Sequence, residues 1–308
     1  MHLEHLITEY ELSKEVSDLY VYQLRYAVKR FEQFLGRSAK VDDLEPQTVN
    51  RWLKHERDVA EISDRSRQNV RTSLLTVWKY SRRPMNRDQI RGVVVTPKNP
   101  EAWHFDELQR VAKAAAELPG QLSNGVDRSV YMSTCLWFAF ETGLRRRDIW
   151  RFTMSKLGND GAAVLTQNKT RRVHVVRVTK ETADGMRKIW RRLISNGDPH
   201  SETPLRWPQS ISQFYYWMKQ TRRLAGIDAG TANRSLQHIR RTGATEVELE
   251  GSQGYKYLGH SRDGLAQRCY IDARKTAHAV MPRRTRAQDA TPPGPHNDAG
   301  KQTRAIPS

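Results

Sequence analysis

Apolar residues recur at helical spacing through the first eighty positions. Leu24, Val28, Phe31 and Leu35 fall at i, i+4, i+7 and i+11, one face of an α-helix, while Arg25, Lys29, Arg30 and Glu32 take the other faces. A second helix is predicted after Pro46, with Val49, Trp52 and Leu53 as its stripe; proline suits a first helical turn, where its missing N–H costs nothing. A third is predicted over Ser66 to Tyr80, with Val70, Leu74 and either Val77 or Trp78 inward and Arg65, Arg67, Arg71 and Lys79 outward. The expectation is a small helical bundle with basic outer faces.

The pattern breaks at residues 91–100, where Gly92, Pro97 and Pro100 disfavour a helix and predict an extended linker. Beyond it Trp103 to Asp106 leads into a helix expected through Ala116, with Asp106 or Glu107 in its first turn, closed by Pro119-Gly120. Ser129 to Thr142 is apolar on nearly all sides, as a buried helix would be, and Gly143 is placed to end it. Val164-Leu165 and Val173 to Val178 are β-rich, and the polar stretch from Gln167 to Arg171 between them predicts a hairpin turn. Helices are expected again near 180–194, 209–225 and 234–250. Gly251 to Gly254 breaks the last of these, and short helical pieces follow to about Ala279. The predicted fold class is mainly α with a small β-sheet. Its organisation is a helical domain at 1–95, a larger domain at 100–282 and a tail at 283–308 with too little to bury for a fold of its own.

Composition sharpens this picture mainly through charge. The 308 residues carry a net +18, with 18 Lys and Arg against 14 Asp and Glu in residues 1–99 and 29 against 18 in residues 100–282. Such an excess calls for a polyanionic partner, and nucleic acid is favoured over an anionic membrane surface. No apolar run approaches the ~18 residues of a membrane span, and the N-terminus lacks a signal-peptide layout; the expected location is the cytoplasm. The two cysteines, Cys135 and Cys269, form no Cys-x-x-Cys pair, and no His-Glu-x-x-His occurs, so no protein-bound metal and no other cofactor is expected.

Four segments of the larger domain carry candidate chemistry. Thr142-Gly143-Leu144-Arg145 places an arginine just after the buried helix. Asn168-Lys169-Thr170 lies at the hairpin turn. Gln237-His238-Ile239-Arg240-Arg241-Thr242 lies on a predicted helix. Leu258-Gly259-His260 is followed ten residues after the histidine by Tyr270. In this order and at these separations, the set resembles the tyrosine recombinase, or phage integrase, family, and the likeness spans residues 100–282. Residues 1–99 resemble the helical core-binding domain that precedes the catalytic domain in that family.

The resemblance implies a site-specific DNA recombinase that cleaves and rejoins double-stranded DNA through a covalent 3′-phosphotyrosine intermediate, without metal. It implies a two-domain clamp around the duplex and a homotetramer on paired DNA sites. Carried over residue by residue, Arg145 and Arg240 hold the phosphate, Lys169 is the general acid, His260 donates to the phosphate and Tyr270 is the nucleophile. Asp148 buttresses Arg145. Gln237 stands where the family has histidine; sliding the alignment by one residue would instead pair His238 with Arg241. The Gln237/Arg240 alignment is preferred because Ile239 then fills the apolar slot and Thr242 the threonine slot. Arg171 and Arg172 compete with Lys169 for the hairpin-turn role. Two further readings share these residues: a type IB topoisomerase-like enzyme, and a catalytically inactive DNA-binding regulator, which Gln237 would suit.

The residue types fit the chemistry. A tyrosine phenol, pKa about 10, must lose its proton to attack a phosphodiester that is already negative. Two guanidiniums neutralise non-bridging oxygens through planar paired donors. The departing 5′-oxygen needs a proton, which a lysine can supply. The covalent bond to tyrosine conserves the energy of the phosphodiester.

Overall fold

The computed structural model describes residues 1–96, 100–167, 173–227, 235–260, 266, 270 and 271. Among them the chain is mainly α-helical with one small sheet. It divides into two compact units, Met1–Lys98 and Asn99–Ser308.

The first unit holds helices α1 (Leu3–Ser13), α2 (Asp18–Leu35), α3 (Pro46–Asp58) and α4 (Asp64–Tyr80). The α2 stripe is buried as its spacing predicts, with Leu24, Val28 and Phe31 inaccessible to solvent, and the helix ends at Gly36 in the left-handed region (φ 69°). Pro46 takes the first turn of α3. The third predicted helix starts two residues earlier than expected, because the Ser63 hydroxyl accepts from the Ser66 amide at 3.2 Å and caps the helix at Asp64. Phe31, Trp52, Leu74 and Trp78 anchor one continuous core.

The second unit is built on α5 (Phe105–Ala116), α6 (Arg128–Thr142), the short α7 (Arg146–Trp150), strands β1 (Ala162–Thr166) and β2 (Val173–Arg177), α8 (Lys180–Ser195), α9 (Ile211–Leu224), α10 (Ser235–Leu249) and α11 (Gly254–Tyr257). The α6 helix is the central element, packing against α5, α8 and α10. Its Tyr131, Leu136 and Phe138 are buried in the main core. The strands pair antiparallel, from Ala162 opposite Arg177 to Thr166 opposite Val173. Their alternation turns Ala163, Leu165, His174 and Val176 inward and leaves Val164, Val173 and Val175 exposed. The Thr179 hydroxyl caps α8 while its amide and hydroxyl donate to Glu141, tying the start of α8 to the end of α6. The hairpin-turn residues 168–172, the tail 283–308 and the helical pieces expected near 272–279 lie outside the described residues.

Candidate active site

Four of the six candidate residues meet at the end of α6. The helix stops at Gly143, again left-handed (φ 57°), and the chain turns into α7 with Arg145 as its N-cap. The Arg145 carbonyl accepts from the amides of Asp148 and Ile149 at 2.8 and 3.0 Å, which fixes the backbone and leaves the side chain to reach across the site. Asp148 is buried in the first turn of α7, where this backbone bond supports the arginine.

Arg240 comes from the opposite side, on α10, and is only 2% exposed. One of its Nη2 contacts is the Leu258 carbonyl at 3.1 Å. His260 links the two arginines: its Nε2 is 3.3 Å from Arg145 Nη2 and 3.4 Å from Arg240 Nη2. Guanidinium has donors only, so Nε2 is the acceptor in both contacts, and the imidazole is neutral with its proton on Nδ1. Tyr270 covers the group. Its ring centroid is 4.8 Å from Arg240 Cζ and 5.2 Å from that of His260. Tyr270 itself is half-buried, with its amide bonded to the Ala266 carbonyl at 2.8 Å.

The electrostatics of Arg240 are unusual. Burial, with Arg145 pushing the same way, depresses its pKa to about 10, while Tyr270 opposes the shift. Its Nε and Nη1 have no partner among the described residues. Two buried N–H directions and a concentrated positive charge thus face inward, an arrangement suited to an anion with several oxygens.

Gln237 precedes Arg240 by three residues on α10, about 60° away around the helix axis, and is half-buried. His238 is turned elsewhere. It is buried, its ring lies 5.9 Å from that of Trp103, and its carbonyl accepts from Thr242 Oγ1, which in turn accepts from the Trp103 amide. Lys169, with its competitors Arg171 and Arg172, lies outside the described residues.

Two residues of this site were not singled out from the sequence. Gln167 is fully buried at the end of β1; its Oε1 accepts from Arg145 Nη1 at 3.0 Å and its Nε2 donates to the Leu258 carbonyl at 3.1 Å. His174 is buried on the inward face of β2. Burial lowers its pKa, with nearby Arg240 adding to the effect and the carbonyls of Thr142 and Tyr257 opposing it. The available signal was period-two alternation: Ala163, Leu165 and Gln167 continue one inward face, as do His174 and Val176, so both polar residues stand where an apolar one was due. Gly259 explains its own place in Leu258-Gly259-His260. It is left-handed (φ 64°), and a Cβ there would overlap Gln167 Nε2 and lie 3.1 Å from His174 Cγ.

Among the described residues no group of three or more His, Cys, Asp or Glu is placed to hold a metal ion, and no helix is long and apolar enough to cross a membrane.

No protein-family model and no curated protein matches the chain. Solved structures do. A lambda integrase dimer bound to a COC′ core site superposes with a TM-score of 0.68 at 17% identity, over 91% of this chain and 80% of that one. The Tn1549 transposon integrase in complex with circular intermediate DNA gives 0.63 at 13% identity, over 94% and 99%. XerH site-specific recombinase bound to a palindromic difH substrate gives 0.61 at 12% identity, over 82% and 76%. The chain has the tyrosine recombinase fold.

Proposed function

We propose that the protein is a tyrosine-type site-specific DNA recombinase whose second unit, 100–282, is catalytic and whose first, 1–95, is a core DNA-binding domain. The observation that carries this reading is the pairing of Arg145 with a buried, incompletely satisfied Arg240 around His260, under the ring of Tyr270. A scissile phosphate supplies the negative charge and acceptor oxygens that this group lacks.

In the reaction, Tyr270 Oη attacks phosphorus and the bond to the 5′-oxygen breaks. The non-bridging oxygens are held by Arg145 and Arg240; preorganised donors of this kind are each worth about 10²–10³ in rate. Lys169 gives a proton to the departing 5′-oxygen. The tyrosine proton goes to His260 Nε2, released as the two arginines turn from it to the phosphate oxygens; the His260 ring already adjoins that of Tyr270. Gln237 donates a hydrogen bond to the phosphate but has no basic nitrogen to take a proton. Reversal with a new 5′-hydroxyl rejoins the strand with no net change in phosphodiester bonds. The register of α10 favours Gln237 over His238 for this position, since His238 is packed against Trp103.

The first unit offers a polyanion its own contact. A cleft of about 650 Å³ is lined by Lys14, Arg71, Lys79 and Arg87 with Tyr10 and Tyr80, and by no carboxylate. Burial and the nearby Arg87 both lower the pKa of Arg71. Double-stranded DNA is the partner, and pairs of sites are brought together by a homotetramer.

A suicide duplex, nicked so that a short fragment diffuses away after cleavage, tests the proposal. With EDTA present, the wild type is expected to form a covalent adduct that survives boiling in detergent and yields to protease. DNA affinity should fall steeply with salt as counterions are released. Binding without any adduct would favour the second reading, a DNA-binding regulator, for which Gln237 is the specific support. Lys169→Ala should cut slowly and recover on a 5′-thiolate substrate; equal loss on both substrates would remove Lys169 from the general-acid role.

A further inference from the structure

The two arginines are carried by separate segments, Arg145 by the turn after α6 and Arg240 by α10, and the Tyr257 side chain lies against both. Tyr257 ends the short α11, immediately before Leu258-Gly259-His260. Its hydroxyl donates to the Phe140 carbonyl in the last turn of α6. Its ring lies against two glycines. A Cβ added to Gly143 would meet Tyr257 Cε1 at 2.6 Å and Cζ at 2.7 Å. A Cβ added to Gly243, on α10, would overlap the Tyr257 hydroxyl and lie 2.7 Å from Cζ and 2.9 Å from the Phe140 carbonyl oxygen. Gly143 is two residues before Arg145, and Gly243 is three residues after Arg240. The backbone following Tyr257 supplies the Leu258 carbonyl that accepts from both Arg240 and Gln167, and then His260.

We infer that Tyr257 is a positioning residue: its ring, seated between Gly143 and Gly243, sets the separation of Arg145 and Arg240 and so the width of the phosphate clamp. The inference rests on the recombinase reading for its consequence in catalysis, but the separation it describes is a property of the folded protein alone. Both glycines are then explained by the space the ring occupies. At Gly243 the ring makes the closest approach and the Phe140 carbonyl oxygen adds to it; at Gly143 a left-handed backbone is a second reason. Burial drives the pKa of the Tyr257 hydroxyl well above the usual phenol value, with Glu141 adding to the effect and Arg240 opposing it. Tyr257 therefore serves as a neutral spacer and hydrogen-bond donor. Its hydroxyl is engaged by a carbonyl, which separates its role from the one given to Tyr270.

A size exchange between the two faces of the contact is the informative experiment. Tyr257→Leu removes the spacer, Gly243→Ala crowds it, and the double variant trades one volume for the other. Leu193→Ala, in the core of the same unit but on α8, controls for general loss of stability. Single-turnover cleavage of the suicide duplex at saturating DNA is expected to fall about 10²-fold in each single variant, the scale of a misplaced reacting group. DNA affinity should change by no more than about threefold, since the other phosphate contacts remain. The double variant should recover about tenfold of the cleavage loss. Tyr257→Phe, which keeps the ring, should stay close to wild type.

A second readout needs no catalysis. The guanidinium ¹⁵N resonances of Arg145 and Arg240 should move in Tyr257→Leu and in Gly243→Ala, return toward wild type in the double variant, and stay in place in Leu193→Ala. If the wild type makes no adduct, the recombinase reading fails, and these resonances still decide the positioning role. Unmoved resonances in the single variants overturn the inference. So does a cleavage loss that Leu193→Ala reproduces at equal thermal destabilisation, or one that the double variant leaves uncorrected.

Discussion

Each unit buries charged side chains almost completely, and two of them, Glu56 and Arg240, are treated in opposite ways. In the first unit Glu56, 2% exposed, receives Arg30 Nε at 2.6 Å and Trp52 Nε1 at 3.2 Å. The hydrogen bond from Arg30 to Glu56 is the chief reason its pKa rises. Charge and hydrogen bonding are closed within the protein. In the second unit Arg240, equally buried, has a backbone carbonyl, a neutral imidazole and the face of a tyrosine ring, with another arginine close by. Its pKa moves down rather than up. A buried charge that the fold neutralises supports the fold, whereas one left without a counter-charge costs stability and is complete only with a ligand. Polar burial by itself therefore does not mark a site, but an unneutralised buried cation does.

The largest expected effect comes from removing that cation. Arg240→Met should slow cleavage about 10²–10³-fold without lowering stability. An arginine whose folded-state pKa lies below its unfolded value binds its proton less well when folded. The penalty is therefore present at neutral pH and is relieved only as pH rises above about 10. This depression corresponds to a penalty on the order of 3 kcal/mol. The unfolding free energy of Arg240→Met should thus match or exceed that of the wild type in urea titrations at pH 8. A loss of 2 kcal/mol or more, roughly the cost of opening a core cavity, would mean that Arg240 is a structural residue.

Glu56→Ala should do the reverse. Unfolding free energy should drop by about 3 kcal/mol, the low end for breaking a buried pair, because Arg30 remains partly accessible to water. Cleavage at saturating DNA should be unchanged. A cleavage defect that persists at full occupancy would blur the distinction between the two units.

The smallest effect concerns His174. Its pKa is lowered in the folded state, so as pH falls through the ordinary imidazole range the unfolded chain takes up its proton first. The stability this provides is present above pH 6.5 and lost as pH falls through the lowered value. His174→Gln should flatten the decline of thermal stability between about pH 6.5 and 5. An unchanged slope would mean that another group controls acid unfolding.

Much of this architecture was legible because helices advertise themselves by period. The α2, α3 and α4 stripes are long enough to be read directly, whereas Leu3, Leu6 and Ile7 of α1 form too short a stripe to stand out. The glycine after α6 was readable from its place behind an apolar run, and its left-handed φ gives the reason. Arg145, Arg240, His260 and Tyr270 could be proposed together only through a family resemblance, since their convergence depends on how α6, α10 and the final segment pack. Gln167 and His174 escaped notice because short strands carry few residues from which to judge a period. Tyr257 carries no signal of its own in the sequence; its fit between Gly143 and Gly243 joins positions a hundred residues apart and exists only in three dimensions.

The central claim is that the tyrosine ring lying on Arg240 belongs to the nucleophile. Tyr270→Phe removes one oxygen and keeps the ring against Arg240 and His260, so folding and DNA affinity should persist. Wild type and variant are to be compared on the suicide duplex, with the adduct digested and the DNA-bearing peptide sequenced by mass spectrometry. The account predicts DNA on Tyr270 in the wild type and no adduct in the variant, because phenylalanine offers no oxygen to attack phosphorus. An adduct that survives Tyr270→Phe, or one that maps to Tyr255 or Tyr257, would contradict it.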